Sequence, residues 1–304
     1  MTFEFENVPA AAAAAAAEHA VVRPNGTALE VAQHRIREKH FLAQNGLPVA
    51  PFAEVRTDAD LATAVQSIGR PAVLKTAALG YDGKGQVAIT ADTDPVSAWE
   101  QLGRTECILE AFVDLEREFS VIGARGVDGA TSFFEPFDNT HRNHILDSRW
   151  HRPTYRRTSR STRFEITRTV LEELDYIGIL CIEFFVSRAG TLLVNELAPR
   201  PHNSGHLTFD ACRTSQFEQQ VRAICGFPLG ATDSPAAGGN GQPARRHLGR
   251  RRTELVGCPR DARREAAPLR KSQCPAGSED GAPHGDGSPP ARRRASACFR
   301  RAVC

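Results

Sequence analysis

The chain has 304 residues, 41% of them apolar and 24% charged, which gives room for about two domains of ordinary soluble composition and excludes collagen, a coiled coil or wholesale disorder. It contains no run near the ~20 apolar residues that a membrane span needs, and the acidic start MTFEFENVP lacks the basic opening of a secretory signal, so the expected location is cytoplasmic. The net charge of +2 conceals two kinds of sequence: the 67 residues from Gly238 carry 15 Lys and Arg against 6 Asp and Glu, leaving the first 237 at −7.

The alanine run at 10–17 predicts a helix, because alanine has the highest helix propensity. Leu29, Ala32, Ile36 and Phe41 predict a second from Ala28 to Asn45, with Gly46 at the stop position and Pro48 beyond. β-Branched runs then predict strands at 53–55, 72–75, 86–90, 107–113 and 118–124, with helices at 58–68 and 94–102. A helix near 165–175, strands at 179–186 and 191–197 and a helix near 214–225 complete the body. This mixture of hairpins and helices reads as α+β or α/β. Two segments break the pattern. Residues 148–163 hold six arginines and no acid, and from Gly238 onward Leu, Ile, Val, Met and Phe supply only six positions. Such a tail buries too little apolar surface to offset chain entropy, and it is expected to have no fold. The eight cysteines form no CxxC pair, which argues against both a zinc site and a redox motif.

Three features bear on chemistry. Lys75 ends an apolar strand and is followed by Gly80, Tyr81, Asp82, Gly83, Lys84 and Gly85. Exposed backbone N–H groups beside an ammonium suit a polyphosphate, though a hairpin turn with a solvated lysine would look the same. The loop matches neither GxxxxGK[ST] nor GxGxxG. Next, Glu110 begins a short connection between strands and Glu118 opens the following strand. The linker backbone could hold an adenine ring and Glu118 the ribose hydroxyls; an edge-strand charge pattern is the alternative. Third, Glu183 lies inside CIEFF and Asn195–Glu196 follow in the next hydrophobic strand. A carboxylate within each of two apolar strands is costly unless paired or metal-bound. Two carboxylates and an amide oxygen suit Mg²⁺, a hard cation that favours oxygen ligands and bridging phosphates. The histidines downstream are spaced HxxxH in a Pro/Gly loop without the Glu of HExxH, so zinc is disfavoured.

In this order, RIREKHFLAQNGLPVAPF, AVLKTAALGYDGKGQ, ILEAFVDLEREFSVIGARG, NTHRNHIL, CIEFFV and NELAPRPHNSGH resemble the N5-carboxyaminoimidazole ribonucleotide synthetases, ATP-grasp enzymes of purine biosynthesis. The resemblance runs from about Thr2 to about Ala237. It implies an ATP-grasp fold of α+β class with ATP held between two subdomains, and three regions: 1–28 as the remnant of a preceding domain, 29–237 as the ATP-grasp domain with its lid at about 50–112, and 238–304 as a tail. It also implies that ATP phosphorylates bicarbonate and that the resulting carboxyphosphate carboxylates aminoimidazole ribonucleotide, in a homodimer acting on small molecules. Carried over, Arg35 and Lys75 would contact the phosphates under the Gly80–Gly85 loop, with His141 beside the nucleotide. Glu110, Ala111 and Val113 would line the adenine site and Glu118 hold the ribose. Glu183 and Glu196, with Asn195 beside them, would bind Mg²⁺, with Mn²⁺ as a substitute. Arg200, His202 and Asn203 would orient bicarbonate and the ribonucleotide.

The chain departs from the resemblance in three places. Met1 falls where the family is already under way, so a preceding domain is expected to be missing. Codons can be chosen for GNGQPARRHL that, read one nucleotide later, spell AMANLLGDIW, a family-like strand, so a frameshift is expected near Ala237. A similar pair of compensating shifts would account for 148–163. These departures imply weak or absent carboxylation, that is, an inactive fragment with a folded core. Two rival readings are another ATP-grasp carboxylase or formyl-transferring ligase, and a nucleic-acid-binding protein using the basic tail. The latter is disfavoured because Phe299 is the tail's only aromatic residue.

Overall fold

The computed structural model describes residues 1–78, 85–142, 145–150 and 160–234, all within one compact unit, Met1–Arg245. The glycine loop from Gly80 to Lys84, most of the arginine block and the inferred frameshift near Ala237 with the tail beyond it lie outside the described residues. Among those described, no helix is long and apolar enough to cross a membrane.

The alanine run forms α1 (Ala10–Ala17) as expected. The single helix expected at 28–45 is two: α2 (Gly26–Ala32), capped by the Asn25 side chain, and α3 (Arg35–Gln44). Helical spacing runs through the break, but His34 is extended and bridges to Ala78, while the Arg35 amide donates to the Ala77 carbonyl at 2.8 Å. Pairing with a distant strand outweighs local propensity there. At the far end of α3, Gly46 takes φ +67°, which glycine adopts without strain.

The next elements form a four-stranded antiparallel sheet. They are β1 (Phe52–Val55), α4 (Asp58–Ile68) with a Thr57–Asp60 capping box, β2 (Ala72–Thr76), β3 (Gln86–Ile89), α5 (Pro95–Gln101) and β4 (Cys107–Ala111), in strand order β1-β4-β2-β3. Leu61, Leu74, Ile89, Trp99 and Leu109 are buried in its core.

The larger sheet follows: β5 (Leu115–Arg125), β6 (Thr131–Phe133), β7 (Phe137–Arg142), β8 (Ile145–Trp150), α6 (Arg160–Glu173), β9 (Gly178–Ser187) and β10 (Leu192–Ala198). Its order is β10-β9-β5-β7-β8, with β6 on β5. A 3₁₀ turn at Asn203–Leu207, α7 (Thr208–Ala211) and α8 (Gln216–Cys225) close the described fold. Strands β5 and β9 are buried on both faces, with α6 packing on one side and the 3₁₀ turn on the other, so they read as near-continuous apolar runs. Strands β6–β8 escape the sequence reading because stretches such as FDNTHR alternate weakly and carry polar residues. The end of the arginine block joins the first turn of α6, where Arg163 is buried. The result is α+β: mixed helices over two antiparallel sheets.

Candidate active site

Strands β9 and β10 bring the two carboxylates face to face. Glu183 and Glu196 are direct cross-strand partners, and the register slips between Val194 and Glu196. In a regular strand, successive side chains point to opposite faces, whereas a bulge re-aims one of them. The slip sets Glu196 directly opposite Glu183, so that its charge, together with the polar Asn195 side chain beside it, acts on the buried carboxyl. Glu183 is 9% exposed, while Glu196 opens to solvent. Burial pushes the Glu183 carboxyl well above its usual range, and the charges of Glu196 and Glu118 push it further. A cation between the two carboxyls would relieve the repulsion that helps raise this pKa.

Around this pair, Asn139 on β7 donates through Nδ2 to Ser120 Oγ (2.8 Å), Glu118 Oε1 (3.1 Å) and Glu183 Oε1 (3.4 Å). Among the described residues its Oδ1 is buried without a hydrogen-bond partner. The donors are thus carboxylate and amide oxygens, which suit a hard divalent cation. Among the described residues no three His, Cys, Asp or Glu side chains converge into a closed metal cage.

Lys75 on β2 donates to Glu110 Oε2 on β4 at 3.0 Å. Lys39 on α3 approaches the same oxygen at 3.9 Å and donates to the Asn195 carbonyl at 2.7 Å. Burial raises the Glu110 pKa, but Lys39 and Lys75 outweigh it and hold the carboxyl below its usual value. Arg35 begins α3 and donates through Nη1 to the Thr76 carbonyl at 2.9 Å. Gly85, at φ +72°, closes the glycine loop onto β2: its carbonyl accepts from the Thr76 amide at 2.8 Å, and a Cβ there would lie 2.7 Å from Thr76 Oγ1.

The turn after β10 brings His202 to Glu183, with Nε2 at 3.4 Å from Oε1. The Ser204 amide donates to His202 Nδ1 at 3.3 Å, which leaves Nε2 to carry the proton towards Glu183. Gln216 of α8 clamps the His202 backbone, accepting from its amide at 2.9 Å and donating to its carbonyl at 2.7 Å. Burial, with Arg200 and His206, pushes the His202 pKa down to about 3, so the ring is neutral. Arg200 meets Glu6 in a two-pronged contact, Nε to Oε2 at 2.6 Å and Nη2 to Oε1 at 3.0 Å.

The structure therefore gathers Lys75, Glu110, Glu118, Glu183, Asn195, Glu196 and His202 into one connected set, with Arg35 at its edge. Ala111 and Val113 are half-buried on the β4–β5 linker, where the Ala111 amide is taken by the Pro51 carbonyl. Asn203 opens the 3₁₀ turn and is exposed. His141 lies on β7 opposite Leu146, and its side chain is outside the described parts. Gly80, Tyr81, Asp82, Gly83 and Lys84 are likewise outside them. Sequence reasoning missed Glu6, Glu38, Lys39, Asn139, Ser204 and Gln216. The signal available was adjacent charged residues in the middle of the predicted helix at 28–45, where Glu38 and Lys39 prove to be 2% exposed each.

The chain matches the ATP-grasp domain family over residues 40–217. It is 44% identical over 239 residues to an N5-carboxyaminoimidazole ribonucleotide synthase of Brucella melitensis, covering 77% of this chain and 65% of that protein. A solved N5-carboxyaminoimidazole ribonucleotide synthetase from Thermus thermophilus superposes with TM-score 0.70 at 39% identity, covering 77% of this chain and 63% of that one. An N5-carboxyaminoimidazole synthetase from Staphylococcus aureus, solved in complex with ADP, superposes with TM-score 0.70 at 33% identity over 75% of this chain and 61% of that one. The chain thus spans just under two thirds of the length of curated relatives that it matches.

Proposed function

The chain belongs to the ATP-grasp family, matched over residues 40–217, and from that premise we propose that it serves the ATP- and Mg²⁺-dependent carboxylation of aminoimidazole ribonucleotide by bicarbonate. The observation that carries this reading is the opposition of Glu183 and Glu196 across β9 and β10, with Asn195 brought to the same face by the bulge. Glu183 and Glu196, with Asn195 beside them, would hold Mg²⁺, which would supply neutralisation of the charge that develops in phosphoryl transfer. Lys75 and Arg35 would address the phosphates, the Glu110–Val113 linker the adenine, and Glu118 the ribose. A bicarbonate oxygen would take the γ-phosphoryl group with ADP leaving. The substrate amine would then attack the carboxyl carbon of the mixed anhydride, expelling phosphate. Neutral His202, proton on Nε2, and Arg200 would orient these oxyanions, with Asn203 at the rim. Side chains are asked for positioning and charge stabilisation rather than covalent chemistry.

The same proposal includes a cytoplasmic homodimer, for which sedimentation should give twice the mass of the chain. The test of function is ADP release by the full chain with Mg-ATP. Release that requires both bicarbonate and aminoimidazole ribonucleotide, however slow, supports the reading, and Mg-ATP binding without such release supports the inactive fragment expected from the sequence. Release that follows formate instead would support a formyl-transferring ligase, and failure to bind Mg-ATP at all would overturn both.

A further inference from the structure

We infer that Glu38 and Lys39, adjacent on α3, are positioning residues that fix β10 on both sides of Glu196. The inference rests on reading Glu183 and Glu196 as a cation site for a bound nucleotide.

β10 is an edge strand of the larger sheet, and among the described residues its outer row of backbone groups has only the isolated bridge Val49–Val194 in place of a ladder. Those groups are claimed from outside the sheet. The Val194 amide donates to the Pro48 carbonyl at 2.7 Å. Lys39 Nζ donates to the Asn195 carbonyl at 2.7 Å and the Val194 carbonyl at 3.4 Å. Glu38 Oε1 accepts from the Leu197 amide at 2.6 Å. Glu196 thus lies between two backbone anchors, Asn195 before it and Leu197 after it, both held by consecutive residues of one helix.

Glu38 and Lys39 are each 2% exposed. Burying ionisable side chains is costly, and apolar residues of similar volume often pack as well or better. What an apolar pair could not do is hold an irregular edge strand by its backbone. A bulge stores no side-chain alternation to fix its own register, so outside anchors decide where Asn195 and Glu196 point. Lys39 also lies 3.9 Å from Glu110 Oε2, the oxygen that Lys75 engages. One ammonium thereby ties the carboxylate strand to the Lys75–Glu110 pair of the smaller sheet.

Outer groups that orient metal ligands typically change metal affinity 10- to 100-fold when removed. The experiment measures ATP affinity of the full chain with Mg²⁺ and in EDTA, and takes the ratio, which cancels a general loss of binding. Glu38→Leu and Lys39→Met should lower that ratio roughly 10- to 100-fold. Glu38→Gln should keep it near wild type, because the amide oxygen still accepts from Leu197. An unchanged ratio in Lys39→Met, or Glu38→Gln behaving like Glu38→Leu, would overturn the inference. A wild-type chain with no Mg²⁺ effect would instead remove the cation-site reading, and the inference with it. If the variants fail to fold, hydrogen exchange decides on the wild type. The Leu197 amide should exchange as slowly as amides in the centre of β9, and exchange at the rate of an exposed loop would overturn the proposal.

Discussion

Glu196 is the residue on which the metal reading turns, since its carboxylate is exposed beside a buried partner and is ready for a ligand. Glu196→Ala should abolish the Mg²⁺-dependent part of the thermal shift given by ATP, and an undiminished shift would remove Glu196 from the cation site. Buried Glu183, Glu38 and His202 also set a pH dependence, the raised carboxyl of Glu183 acting with the same sign as that of Glu38. Burial raises the Glu38 pKa from 4.5 to about 8, with Lys39 opposing and Glu196 adding to the rise. The folded state therefore holds an extra proton between those values, and stability falls as pH rises through that window. His202 has the opposite sign: its pKa falls from 6.5 to about 3, so its contribution is present above pH 6.5 and is lost as pH drops towards 3. Between pH 6.5 and 8 only the carboxyl effects operate among these three. The melting temperature of the metal-free chain should decline across that interval, and Glu38→Gln should make the decline shallower. Equal slopes in melts at several pH values would refute the assignment.

Among the elements, the turn after β10 shows how packing aims a side chain. Gly205 sits where a Cβ would lie 2.3 Å from Ile122 Cδ1 and 2.6 Å from Gln216 Oε1. Gln216 in turn holds both backbone groups of His202. Gly205→Ala should displace that clamp and cost roughly 1–3 kcal/mol, the usual range for an overpacked core. Denaturant unfolding would show the loss, and an unchanged midpoint would mean that the turn yields freely. The break between α2 and α3 is a second example. His34 leaves the helix to pair with Ala78, and Arg35 then starts α3 against Ala77, which puts Glu38 and Lys39 under β10.

For the whole molecule, the consequence is a contact chain running from Lys75 through Glu110 and Lys39 to the Asn195 carbonyl, joining the smaller sheet to the larger one. A ligand that bridges both ends of this chain binds the folded state alone and stabilises it by mass action, by about 2.7 kcal/mol at a hundred times its Kd. Mg-ATP should therefore raise the melting temperature, and Lys75→Ala should reduce the rise at equal ligand concentration. A shift of the same size in Lys75→Ala would mean that the lysine makes no phosphate contact.

How much of this was legible beforehand differs by residue. Glu183, Asn195 and Glu196 could be singled out because a carboxylate inside an apolar strand violates the local pattern wherever the strand lies. Strand β9 showed in its apolar run, β5 in part through residues 118–124, and α4 at the expected 58–68. The helix break at His34, the bulge at Asn195 and the clamp by Gln216 left no trace in spacing, because each depends on partners far along the chain. Glu38 and Lys39 look like solvated charges on a helix until β10 is laid over them. The amino-acid order by itself determined which chemistry was available: oxygen donors, ammonium groups and the strands carrying them. Only the tertiary structure decided which of these meet, because backbone groups on an edge strand and buried charges take whatever partners long-range packing brings within hydrogen-bonding distance.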